Sequence, residues 1–80
     1  MFQLFAHIEC DNLYKILNSK RGMSEIISIV NVNSVTRCVV ECTTTQGCYN
    51  ANFRNATICE LLGKDIVMTN DPNTKFIRTY

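Results

Sequence analysis

Five cysteines in 80 residues are the side chains here with the most chemistry to offer, and their spacing limits what that chemistry is. Cys38 and Cys42 stand four apart, so on a helix they share a face one turn from each other. Cys48 and Cys59 follow, and Cys10 stands alone near the start. Thiols ligate metals, attack as thiolates or pair as disulfides. A zinc site from Cys38, Cys42, Cys48 and Cys59, with His7 as a further donor, has one pair at knuckle spacing, but Cys48 and Cys59 are too far apart in sequence to form the second. Thiolate catalysis needs a base and an orienting third group. His7 is the single histidine and lies in an alternating segment, where it reads as the wet side of a strand. Nor is C-x3-C the C-x-x-C of dithiol redox sites. Disulfide pairing remains.

Other charged groups form weaker patterns. Glu41, Glu60 and Asp65 are scattered and read as solvated, with no apolar pocket to turn one into a general acid. Lys20-Arg21 with Lys15 makes one small basic patch, and Arg54 with Arg78 another. Both suit an acidic surface or a sulfated glycan, so Lys20, Arg21 and Arg54 are the candidate ligand-binding residues. Asn55-Ala56-Thr57 is an N-glycosylation sequon in an expected hairpin turn, which makes Asn55 a candidate glycan acceptor.

These groups must be positioned by very little chain. A net charge of +1 gives no general attraction to nucleic acid or anionic membrane, and no run approaches the roughly 20 apolar residues of a membrane span. A domain this small needs staples, and five cysteines with no nucleotide or metal motif favour an oxidising, extracytoplasmic setting. Met1 to Cys10 lacks the basic start and unbroken apolar run of a signal peptide, so the chain reads as a domain of a longer secreted protein rather than an incomplete gene product.

Phe2, Leu4, Ala6 and Ile8 alternate as a half-buried strand, followed by a Cys10-Asp11-Asn12 turn. Leu13–Leu17 is a second strand or a loop, and Asn18–Gly22 a polar turn. Ile26–Val32 is a β-branched strand. Ser34 caps one helix that carries Cys38 and Cys42 and ends through Thr43, Thr44, Thr45 and Gly47. Tyr49–Phe53 and Thr57–Leu62 are strands about an Asn55-Ala56 turn; Gly63-Lys64 leads to Asp65–Met68. Asn70–Asn73 is a turn, and Lys75–Tyr80 a last strand. The helix should cover the inner face of the sheet, burying Val35, Val39, Phe53, Ile29 and either Ile58 or Leu61.

The ordered set Cys38-x3-Cys42-x5-Cys48, Tyr49-x-Ala51-x-Phe53 and Cys59-x-Leu61, entered through Val32-x-Ser34, resembles the PAN/apple domain family, best over residues 27–62. The resemblance implies an α+β fold in which about five short antiparallel strands curl around one central helix. It also implies a non-catalytic module of secreted or cell-surface proteins that binds protein or carbohydrate, usually within a larger multidomain protein. Cys42–Cys48 and Cys38–Cys59 are the bridges it implies. Local geometry points the same way, because Gly47 lets the chain double back from Cys42 to Cys48 and leaves Cys38 facing the strand of Cys59. Larger members add a bridge between the termini, but no cysteine follows Cys59, so Cys10 is expected as a free thiol. The reading is therefore one domain over residues 1–80, a recognition module without enzyme activity, cofactor, metal, nucleic-acid partner or membrane insertion. Its rivals are a small thiol redox protein and a secreted inhibitor or toxin.

Overall fold

Ser34 starts the helix as its residue type dictates. Its backbone is extended, and its hydroxyl accepts from the Arg37 amide at 3.1 Å, satisfying one free donor of the first turn. In the computed structural model, which describes residues 14–79, this helix, α1, spans Val35–Thr43. Arg37 bonds Glu41 one turn on at 3.0 Å. At the other end the threonine hydroxyls reinforce the last carbonyls, of which that of Val40 also accepts the Thr44 amide at 3.0 Å. Thr43 and Thr44 donate to the Val40 carbonyl at 3.0 and 2.8 Å, and Thr45 donates to that of Glu41 at 2.7 Å. Gly47, at φ 88°, then turns the chain back.

Five strands form one antiparallel sheet: β1 Tyr14–Met23, β2 Ile26–Asn31, β3 Asn50–Arg54, β4 Ile58–Leu62 and β5 Val67–Thr79. Their spatial order is β1-β5-β3-β4-β2. The helix lies on one face against β3, β5 and β4. Alternation along the strands sends Ala51, Phe53, Cys59, Leu61 and Ile77 toward it, where they meet Cys38, Val39 and Cys42 in a buried core. The expected α+β architecture is the one observed.

Two expectations about this core are corrected. Val39, Phe53 and Leu61 are buried, but Ile29 is 58% exposed. The nearly continuous apolar run of β2 hides its alternation. Ile29 pairs with Glu60, whose side chain points away from the helix, and Val30 is the residue that reaches the core. Glu60, expected in solvent, is only 3% exposed, because it lies on a central strand whose outer face is also covered.

The cover comes from β1 and β5, and it explains why two expected turns are strand interior. Asn18 pairs with Lys75, yet Lys20 pairs with Asn70, so one residue of β1, Ser19, opposes the Asp71–Thr74 excursion of β5. The turn-forming residues at 18–22 and 70–73 therefore make a bulge that bends the ribbon rather than ending it. Beyond the bend, Gly22 packs over the outer face. A Cβ there would lie 2.6 Å from the ring of Phe76 and 3.3 Å from Leu62, so only glycine fits. Phe76 and Leu62 form a second apolar layer, at 0% and 1% exposure. The alternating segment at 2–8, His7 and Cys10 lie outside the described residues.

Candidate functional site

The outer face of the sheet carries most of the molecule's polar organisation. Asn52 is opposite Glu60 across β3 and β4, and both side chains lie under the bent end of β1. The Asn52 amide acts as a substitute strand. Its Oδ1 accepts from the Gly22 amide and its Nδ2 donates to the Gly22 carbonyl, each at 2.8 Å. The same Nδ2 donates to Glu60 Oε1 at 3.0 Å. Every polar atom of this buried amide therefore has a partner.

Glu60 receives two guanidinium groups. Arg54 donates to Oε2 at 2.8 Å, and Arg21 donates to Oε2 at 3.2 Å and, more loosely, to Oε1 at 3.4 Å. The arginines are 28% and 26% exposed against 3% for the carboxylate, so each keeps an open edge while its position is fixed from beneath. In sequence these cations belong to separate patches; Glu60 brings them together. The signal available was parity, since Asn52, Arg54 and Glu60 occupy one face of the β3–β4 pair.

Further cations share this face. Lys15 pairs with Arg78 across β1 and β5, and Arg78, Phe76 and Thr74 alternate along β5, with Thr74 opposite Arg54. No carboxylate lies within ion-pair distance of Lys15 or Arg78 among the described residues. Like charges directly opposed on neighbouring strands repel. Lys20 is exposed, with its ammonium donating to Asn70 Oδ1 at 2.6 Å. At the margin sits Asp71, whose carboxyl is held below its ordinary value of 3.8, chiefly because it accepts the Asn73 amide, with smaller help from Thr74, Arg21 and Arg54. The Thr74 hydroxyl is close enough for that influence but makes no hydrogen bond of good geometry. It and Arg21 Nε are buried without partners.

The opposite face holds the cysteines. Cys38 is bridged to Cys59 and Cys42 to Cys48, with Cα–Cα separations of 5.5 and 5.3 Å. All four thiols are consumed, which leaves no thiolate among them for a zinc site. Cys48 alone among them is partly exposed. Asn55 lies at the exposed β3–β4 turn in the left-handed conformation, φ 51°. Glu41 is engaged by Arg37, and Asp65 is exposed. No helix among the described residues is long and apolar enough to cross a membrane.

A family model for the PAN domain matches residues 10–79. No curated protein matches the chain.

Proposed function

Because this chain belongs to the PAN domain family, we propose that it is a non-catalytic extracellular recognition module that binds an acidic partner, a sulfated glycan first among them, on the outer face of its sheet. One observation carries this reading. Lys15 and Arg78 are forced opposite each other on a face that also presents Arg21 and Arg54, with a single buried carboxylate beneath. A like-charged cross-strand pair costs folding free energy, and an anionic ligand converts that cost into attraction. Glu60 fixes two guanidiniums before any ligand arrives, and pre-organised donors lose little entropy on binding. Arginine suits sulfate and carboxylate because its planar fork offers paired donors. Lys20 adds a cation at the bent end of β1.

The two bridges support secretion, since disulfides persist in an oxidising compartment. Within that setting Asn55 is a glycan acceptor at an exposed turn, and Cys10 is the free thiol. A larger multidomain protein is the natural context of such a module. The test is retention on an immobilised sulfated glycan at low salt. Retention that is lost in Lys15→Ala/Lys20→Ala/Arg78→Ala protein supports the reading, and failure of the parent protein to bind the column refutes it.

A further inference from the structure

The sheet ends on β1 at one side and on β2 at the other, and the two edges are finished differently. β1 carries Lys15, Lys20 and the bulge at Ser19, each of which discourages another strand from pairing there. β2 has no charged residue and no proline, and no described strand lies beyond it. Its one irregularity falls between Ile26 and Ser28, beside the β1–β2 turn, and leaves Ser28–Asn31 regular. Ile26, Ile27 and Ile29 are exposed by 43, 42 and 58%. An edge of this kind is a template for pairing with a further strand.

Backbone direction shows which groups of this edge are free. The Val32 amide donates to the Thr57 carbonyl at 2.9 Å, so the residues in step with it, Val30 and Ser28, direct their N–H and C=O groups toward β4. Ile29 and Asn31 direct theirs outward. The two ends of the strand differ in charge. Glu25, at the turn before it, is exposed and has no ion-pair partner among the described residues. At the other end Asn31, Val32, Asn33, Arg37 and Thr57 line an open groove of about 530 Å³. Arg37 is the cation of that groove, bonded on one side to Glu41 and still 58% exposed.

We propose that the occupant of this edge is a second copy of the chain, paired antiparallel, β2 to β2, about a two-fold axis at Ile29. Such an interface presents the same strand from both copies. The two Ile29 residues, whose backbone groups point outward, exchange both hydrogen bonds and set their side chains next to each other, and Ser28 of each copy lies opposite Val30 of the other. Continued along the strand, this pairing brings Glu25 of each copy opposite Asn33 of the other, at the groove that holds Arg37. An acidic end therefore meets a basic end twice in one dimer, a complementarity that the chain supplies to itself. The axis runs perpendicular to the sheet, so both outer faces lie on one side of a continuous ten-stranded sheet, five strands from each copy. The pairing is independent of whether those faces bind an anion.

Three isoleucines and a short run of backbone bonds make a small contact, in the transient class below about 1,200 Å², for which Kd is on the order of 100 µM. Amide NMR spectra of the full chain from about 20 µM to about 1 mM, with sedimentation to give the mass, test it. Concentration-dependent shifts confined to Glu25–Asn33 and Arg37, with a dimer mass at the upper end, support the pairing. Glu25→Lys sets lysine against Arg37, and Arg37→Glu sets glutamate against Glu25, so each variant alone should associate roughly tenfold more weakly. An equimolar mixture of the two restores both opposite-charge contacts and should associate about as tightly as the parent. Ile29→Lys, which puts two cations at the axis, should remain monomeric. All three sites are exposed, and a thermal melt checks that each variant folds. Monomer mass at every concentration, or a mixture no tighter than either variant alone, overturns the inference. So does protection of the Ile29 and Asn31 amides from exchange in dilute monomer, because another segment of the chain then covers the edge. None of these outcomes depends on the sulfated-glycan column.

Discussion

Replacing Glu60 by glutamine keeps the shape of the side chain and removes the one charge that two guanidiniums share. The single carbonyl oxygen in Glu60→Gln can still accept from the Asn52 amide, which leaves the new –NH2, a donor, facing both guanidiniums. What changes is the pair of contacts at 2.8 and 3.2 Å from Arg54 and Arg21. A hydrogen bond to a charged acceptor contributes about 1.5–3 kcal/mol, so losing both contacts removes about 3–6 kcal/mol before solvent is counted. Breaking a fully buried pair costs about 3–5 kcal/mol, but both arginines are a quarter exposed, so water recovers part of the loss. The expectation is about 2–3 kcal/mol, which for a domain of this size lowers Tm by roughly 8–20 °C. Calorimetry at pH 7 with the disulfides intact measures it. Added salt should restore little, because the carboxylate is out of reach of solvent ions. A Tm within about 2 °C of the parent, equivalent to less than ~0.5 kcal/mol, would refute the claim that Glu60 organises the outer face.

Four other outcomes can be measured. Gly22→Ala drives a methyl group to 2.6 Å from a fully buried Phe76 ring, and should destabilise by about 1–3 kcal/mol in the same melt; a neutral result would mean the β1 ribbon does not close over Phe76. Cys42→Ala/Cys48→Ala opens a short loop and should cost about 2 kcal/mol, whereas Cys38→Ala/Cys59→Ala opens the longer one, costs about 3 kcal/mol plus two core cavities, and should not fold cooperatively. In the parent protein one thiol, Cys10, should alkylate without reductant. Asp71 has its folded pKa below 3.8, so its contribution is complete above that value and lost as pH falls through the lower folded value. Asp71→Asn should therefore flatten the acid limb of stability below about pH 4 and leave pH 7 behaviour of the Lys15–Arg78 face unchanged.

Local rules made much of the fold legible. Ser34 announced the helix start, the threonines and Gly47 its end, and the alternation of Tyr49–Phe53 and Thr57–Leu62 the central hairpin. Legibility failed where residues of turn type sit inside paired strands. Asn18–Gly22 and Asn70–Asn73 read as ends of strands, and only their position opposite each other makes them a single bend. The bend decided the rest. It brings Gly22 over Phe76, buries Glu60 and gathers Arg21 beside Arg54, none of which follows from composition or local period. Ile29 misled for a related reason: an edge strand of continuous isoleucine and valine does not say which side is wet.

Recognition of an acidic ligand by the fixed cations of the outer face is met most directly by calorimetric titration of the protein with a sulfated oligosaccharide at several salt concentrations. Affinity should fall steeply with salt. The dependence should be shallower in Lys15→Ala/Arg78→Ala protein, whose Tm should equal or exceed that of the parent, since a repulsive pair has been removed. Binding that ignores salt, or that survives the double substitution with its salt dependence intact, would contradict this role for the outer face.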